Sequence, residues 1–235
     1  MGLRRLTDRI WYLPFERELD RPNLCYIRGS RFSVAVDAGH SEAHVSEFYR
    51  LLEGEGLALP ALTIITHWHW DHSLGMHATH GLCVANARTN DHLRHVRDRV
   101  AREGAGWLLS MDESIRREYA GGRPIVVTMA DVVFDGELTL DLGDRTVRAF
   151  QAESPHTDDA TLVHVPEEGA LLFGDAKSGT FPTWVKLAAP CRRLAEAVEA
   201  TEADVCLGGH WEPMVMSELL ADLEGVREDD EARDE

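Results

Sequence analysis

Apolar positions along the chain switch between two periods. Arg9 to Phe15, Asn23 to Arg28 and Phe32 to Val36 are short aromatic or β-branched runs that read as strands. Gly29-Ser30 is placed for a hairpin turn between the last two. From Ser41 the period becomes helical. Val45, Phe48 and Leu52 fall at i, i+3 and i+7, Ser41 can cap the N-terminus, Glu42 suits its positive end, and Gly54 or Gly56 can stop the helix. Ala61 to Thr66 is then an unbroken apolar run of the kind buried on both faces. Strand, helix and buried strand make a βαβ rhythm.

The rhythm continues with a strand at Leu82 to Ala85 and a helix at Asn90 to Val100, whose Leu93, Val96 and Val100 share a face. Residues 104–123 break it. Gly104, Gly106, Gly121 and Gly122 flank a short helical piece, Asp112 to Tyr119, with Ile115 and Tyr119 on one side, a pattern expected of a hinged lid. Further strands are predicted at 125–128, 131–134, 138–140, 146–151, 160–165 and 170–174. A helix follows from Pro190 to Ala200, then a strand at Val205 to Leu207 and a helix at Ser217 to Leu223. Each half contains several strands and at least one helix, so an α/β fold of two facing sheets with helices outside is expected, as one domain over residues 1–225.

The length of 235 residues suits one domain that needs no disulfide staples. Net charge is −17, which argues against nucleic acid as a partner. Part of it is local: Glu224 to Glu235 holds seven acids and two arginines, and 226–235 is expected to be a disordered acidic tail. Cys25, Cys83, Cys191 and Cys206 show no CxxC spacing and read as reduced, buried thiols. The N-terminal Met-Gly-Leu-Arg-Arg is followed by no signal-peptide core, and no stretch reaches the ~18 apolar residues of a membrane span. A cytoplasmic protein with no membrane partner is therefore expected. Oligomeric state is left open.

Histidine changes the picture. There are twelve, and Thr66-His67-Trp68-His69-Trp70-Asp71-His72 sets four potential metal ligands within six residues, directly after the buried strand. In an extended segment His67 and His69 share a face, while Asp71 and His72 lie where the chain must turn and can face a second ion. Imidazole and carboxylate without thiolate suits zinc, manganese or iron. Three more candidates stand at or beside strand ends: His156 in Ser154-Pro155-His156-Thr157, Asp175 in Phe173-Gly174-Asp175, and His210 in Gly208-Gly209-His210.

HxHxDH, a histidine before a strand, GD after one and GGH near the end together resemble the metallo-β-lactamase superfamily over about residues 10 to 212. That resemblance implies an αββα four-layer sandwich of two mixed sheets flanked by helices. It implies a binuclear centre, most simply two Zn2+ with Fe or Mn as alternatives. His67, His69 and His156 would hold one ion and Asp71, His72 and His210 the other, with Asp175 bridging both. It implies a hydrolase in which water activated by the two ions attacks a small ester, lactone, thioester or amide, with Asp71 as the catalytic residue that orients it. An aspartate at the end of an early strand, here Asp37, would support the ligand loop.

The chain departs from several branches of that family. Antibiotic-hydrolysing members commonly lack a carboxylate at the position of Asp175. The glyoxalase II pattern is not present after Asp175, and Ala176-Lys177-Ser178-Gly179 stands where signal-lactone hydrolases carry a tyrosine. His69 stands where diiron flavoproteins have glutamate. An iron-dependent oxygenase and a phosphodiesterase are the alternative activities. Lys177 is a candidate anchor for a substrate carboxylate or phosphate, and Trp184 and Trp211, with Phe181, are candidates for an apolar substrate wall. Trp68 and Trp70 are expected to pack behind the site. The remaining histidines are expected to be ordinary surface or core residues.

Overall fold

The computed structural model describes residues 2–226. The first sheet begins with β1 (Arg4–Arg5), β2 (Ile10–Leu13), β3 (Leu24–Arg28) and β4 (Ser33–Val36), an antiparallel meander. Helix α1 (Glu42–Gly54) crosses over to β5 (Leu62–Ile64), parallel to β4. Short α2 (Trp70–Ser73) leads to β6 (Leu82–Asn86). Helices α3 (Ala87–Glu103), α4 (Gly106–Leu109) and α5 (Glu113–Glu118) precede β7 (Val132–Phe134), the last parallel strand of this seven-stranded sheet. The second sheet holds β8 (Glu137–Asp141), β9 (Thr146–Gln151), β10 (Thr161–Val165) and β11 (Ala170–Gly174), all antiparallel. After α6 (Ala188–Glu199), β12 (Val205–Gly208) joins parallel to β11. The two-residue β13 (Met214–Val215) and α7 (Met216–Glu224) follow. No helix among the described residues is long and apolar enough to cross a membrane.

The period-two pattern explains the layers. In β4, Val34 and Val36 face the space between the sheets, while Ala35 faces outward onto α1. In β11, Ala170 and Leu172 enter the same inner core, and Leu171 and Phe173 turn out onto α6. Phe48 and Leu52 of α1 seal one outer layer against Leu24 and Tyr26; Leu194 and Val198 of α6 with Leu219 and Leu223 of α7 seal the other. Truncating one of these, such as Leu52→Ala, should cost about 2–5 kcal/mol, since it removes fully buried apolar area and leaves a cavity. The four layers are the expected sandwich. All four cysteines are buried and free.

The predicted strand at 125–128 is absent. Ile125, Val127 and Met129 run as an irregular strap whose side chains pack against the α3 side of the first sheet. The place beside β6 is taken by β7, locked by Cys83 N–H to Asp131 Oδ2 at 2.8 Å and Asp131 N–H to the Cys83 carbonyl at 2.9 Å. Helix α3 starts at Ala87 because Asn86 caps it, accepting from Thr89 N–H at 3.0 Å. The tail 226–235 falls outside the described residues except for Val226, which packs against the α6–α7 layer.

Residues 104–123 are bolted down. Ile115 and Tyr119 are buried against Trp70 and Leu74, and the Tyr119 hydroxyl donates to the His40 carbonyl at 3.0 Å. Glu118 is buried and accepts from Arg21 Nε and Nη2 at 3.0 and 2.8 Å, and from the Ser41 hydroxyl. This clasp ties the segment to the loop that carries Asp20. No residue of 104–123 lines the cavity over the histidine cluster, so the segment supports its wall from behind rather than closing its mouth.

Candidate metal centre

The ligand loop begins where β5 ends, and two carboxylates fix it through four hydrogen bonds. Asp37, at the end of β4 with φ +67°, accepts from Thr66 N–H at 2.8 Å and from the Thr66 hydroxyl at 2.9 Å. Its second oxygen also accepts from His72 Nδ1 at 2.7 Å. Asp159, just before β10, accepts from Trp68 N–H at 2.9 Å, between the first two histidines. His69 then caps α2, so Asp71 and His72 are swung onto the first turn of a helix, out of the extended line of His67 and His69. The other donors come from strand ends of the second sheet: His156 before β10, Asp175 after β11 and His210 after β12.

These seven side chains form two groups, His67, His69 and His156, and Asp71, His72, Asp175 and His210. Within each group the nearest donor atoms all lie within 4.8 Å of one another. In the first, His156 Nε2 is 2.9 Å from His69 Nδ1, while His156 Nδ1 donates to the Gly179 carbonyl at 2.7 Å. His67 Nδ1 lies 3.1 Å from the Thr66 hydroxyl and its Nε2 is buried without a hydrogen-bond partner. In the second, Asp71 Oδ2 sits 3.2 Å from His72 Nε2 and 2.9 Å from His210 Nε2, and Asp175 reaches the same two rings at 3.5 and 3.6 Å. Gly209 is obligatory here: a Cβ on it would stand 2.4 Å from Asp175 Oδ1 and 2.6 Å from His72 Cε1.

The electrostatics fit cations. Burial holds the imidazole of His67 far below its ordinary range and that of His69 down at about 3, leaving neutral rings with lone pairs to donate. Burial pushes Asp71 and Asp175 upward, but His72 outweighs it for Asp71, and His210 and His72 outweigh it for Asp175, so Asp71 stays well below the carboxylate range and Asp175 is held at about 2. The reciprocal shifts follow: burial opposes charge on His72 and His210, yet Asp71, with Asp37, raises the first, and Asp175 and Asp71 bring the second up to about 9. Carboxylates gathered in a dry site thus demand positive charge. The atoms left without a hydrogen-bond partner include His67 Nε2, His72 Nε2 and Asp175 Oδ1, all within the two donor groups. Divalent ions satisfy both requirements, and Nδ1 of His72 and His156 is occupied by protein acceptors, which presents Nε2 to the ion.

Over these donors lies a cavity of about 170 Å³ walled by Trp70, Trp184 and Trp211, with Asp20 and Ser178 as polar residues at its side. Trp184 is 55% exposed and stacks on His156 at 6.2 Å and 14°. Trp70 lies in the cavity wall rather than behind the site, while Trp68 packs behind and stacks on His92. Lys177 is the correction. After Asp175 the chain turns through Ser178 N–H to the Asp175 carbonyl at 2.8 Å, and Lys177 points the other way, buried under α7. Its Nζ pairs with Asp222 at 2.5 Å and lies 4.7 Å from the Trp211 ring centroid, so it braces Trp211 and does not reach the cavity.

Sequence reasoning missed Asp20, Asp159 and Thr66. Asp20 sits at φ +51° with its carboxylate 3.6 Å from His210 Nδ1, and burial together with Asp71 raises it to about 6. It lies in an aperiodic polar run, Arg17 to Pro22, which carries no motif. Asp159 was signalled only by its place two residues after Thr157. A third His/Asp group, His92, Asp158 and Asp159, braces the ligand loop: His92 Nε2 is 2.7 Å from Asp158, and Asp159 Oδ2 is taken by Trp68 N–H.

Two sheets with flanking helices, and metal-binding donors gathered at the strand ends, define a class, and sequence comparison agrees with it. Residues 20–210 match the model of the Metallo-beta-lactamase superfamily, and the chain belongs to that family. Among curated proteins it is similar to the acyl-coenzyme A thioesterase MBLAC2 of Bos taurus, 25% identical over 232 residues that cover 88% of this chain and 79% of that protein. The MBLAC2 thioesterase of Gallus gallus is 26% identical over 210 residues, covering 82% and 73%. Among solved structures, a metallo-beta-lactamase from Pontibacter korlensis superposes with a TM-score of 0.69 at 15% identity, over 96% of this chain and 99% of that one, which is a likeness of fold.

Proposed function

We propose that this protein is a binuclear metal-dependent hydrolase of acyl thioesters. The observation that carries the reading is the pair of donor groups at the floor of one small cavity with tryptophan walls. The thioester is favoured over other acyl substrates because the curated relatives are acyl-coenzyme A thioesterases. Two Zn2+ ions, one on His67, His69 and His156 and one on Asp71, His72 and His210 with Asp175 between them, would supply Lewis-acid polarisation and a water of lowered pKa. Iron or manganese would be held by the same donors.

The chain's own residues then have defined work. Asp71 Oδ2, aimed between His72 and His210, accepts a proton from the attacking water and orients it toward the carbonyl carbon. Asp37 fixes the His72 ring, and the Gly179 carbonyl fixes His156. Trp70, Trp184 and Trp211 exclude water and hold the acyl group. Water adds to the carbonyl, the C–S bond breaks, and a carboxylic acid and a thiol leave. The four buried free cysteines suit a reducing, cytoplasmic compartment. The test is elemental analysis of protein purified without chelator, joined to thiol release from acyl thioesters and p-nitrophenolate release from p-nitrophenyl acyl esters and bis(p-nitrophenyl) phosphate. Two zinc per chain and thioester turnover lost in His67→Ala are expected. Turnover of the phosphodiester alone, or tightly held iron with oxygen consumption, refutes the reading.

A further inference from the structure

The cavity over the donors, at about 170 Å³, has room for an acyl group but not for a large thiol carrier. A second cavity of about 640 Å³ shares His156 with it as a lining residue. This is within the size range of small-molecule and cofactor sites. Its wall includes Arg88 from the first turn of α3, Gln151 at the end of β9, Thr157 and Thr180, and the apolar Leu187 and Pro190 where α6 begins.

The charges in that wall are unequally satisfied. Glu153 is paired with Arg193, and the Asp158 carboxylate is taken by His92 Nε2 at 2.7 Å. Arg88 has no carboxylate partner among the described residues; its Nη1 donates to the Asp158 main-chain carbonyl at 3.1 Å, leaving the rest of the guanidinium fork open. The same carbonyl accepts from Gln151 Nε2 at 3.2 Å, so two donor-bearing side chains meet at one point of the wall. Farther along the same helix, Arg94, Arg97 and Arg99 each sit on a neighbouring acid. In a chain of net charge −17, an exposed and unpaired arginine beside the reaction centre is placed to recognise an anion, and a guanidinium fork matches phosphate geometry.

We propose that the larger cavity binds the anionic, nucleotide-bearing handle of the thiol carrier, with Arg88 on a phosphate and Leu187 and Pro190 against the apolar face of the base. This rests on the thioesterase reading for the identity of the substrate but is testable apart from it. Holoenzyme and Arg88→Ala would be compared on two thioesters with the same acyl group, one on coenzyme A and one on N-acetylcysteamine, which has the same thiol terminus without phosphates. Binding of adenosine 3′,5′-bisphosphate, which carries the handle without a thiol, would be measured calorimetrically on both proteins. The side chain is exposed, so the variant should keep the wild-type melting temperature. For the coenzyme A ester KM should rise about tenfold or more with kcat within twofold, while the N-acetylcysteamine ester is unaffected, because one charge-assisted contact is lost. Bisphosphate affinity should fall by the same factor, and Arg88→Lys should recover part of it.

Equal effects on both esters, or coenzyme A kinetics and bisphosphate binding that ignore Arg88, overturn the inference while leaving the thioesterase reading intact. Arg88-dependent bisphosphate binding without turnover of either ester supports the site and refutes the thioesterase. Absence of both binding and turnover refutes both.

Discussion

The clasp between Arg21 and Glu118 should be unequal when taken apart from its two ends. Glu118 is buried, its side chain 1% exposed, and accepts two hydrogen bonds from Arg21 and one from Ser41. Arg21→Ala removes the cation and strands that carboxylate with a single hydroxyl, which places the cost at the range for breaking a buried pair, about 3–5 kcal/mol. Glu118→Ala strands a guanidinium that still has Glu16 and Glu47 at 3.4 and 3.5 Å, so the loss should be smaller, about 2–3 kcal/mol. The double variant should lose less than the sum, because neither charge is then left alone. Urea unfolding of metal-saturated protein, followed by the fluorescence of its six tryptophans, would read all four states. There is a pH signature too. Burial pushes Glu118 up, but Arg21 and Ser41 outweigh it and depress its pKa. A depressed carboxylate stabilises fully above its unfolded pKa and loses that contribution as pH falls through the folded one, so the wild-type advantage over Glu118→Ala should be full at neutral pH and close in acid. Equal losses from both ends, or losses under about 0.5 kcal/mol as for a surface pair, would refute the reasoning.

Asp37→Ala should weaken metal affinity by about 10–100-fold with the fold retained, since it frees Thr66 and the His72 ring; competition with a chromophoric chelator measures it. Asp71→Asn should lower kcat by about 10²–10⁴ while elemental analysis still finds metal, and unchanged kcat would remove Asp71 from proton transfer. Gly209→Ala, whose new methyl would press on Asp175 and His72, should lose metal without losing the circular-dichroism signature of the sheets. Asp222→Ala should leave kcat near wild type and raise KM for long acyl groups, by loosening Lys177 and Trp211; unaltered KM would separate that pair from the substrate wall.

The four layers, and the seven side chains that the fold gathers into two groups, were legible because each rests on a local signal. Alternation marked β4 and β11, a helical stripe marked α1, and the donors stand in short motifs at strand ends. What was not legible depends on distant partners. Ile125 to Thr128 has strand composition, but β7 takes the edge of β6 that β5 leaves open. Glycines around 104–123 suggest hinges, but the buried Glu118 that cancels them needs Arg21, far away in sequence. Lys177 looked like an anchor from its distance to Asp175, and only the packing of α7 shows that its partner is Asp222. Asp20 and Arg88 belong to no motif, and the fold alone brings them to cavity walls.

The donors divide unequally between the two halves of the chain. His67, His69, Asp71 and His72 follow β5 in the first sheet, whereas His156, Asp175 and His210 stand at strand ends of the second. Bound ions would therefore rivet one sheet to the other, and the native state would gain stability by mass action, about 4 kcal/mol when free metal exceeds its dissociation constant a thousandfold. The first half, with four donors in six residues, can already grip an ion before the second half has folded, and any such grip on the unfolded chain subtracts from that gain. The centre would thus act as a late fastener as well as a reagent, closing only once both sheets have met. Chelation should lower the melting temperature, and the size of the drop would report how much of the affinity requires the completed sandwich.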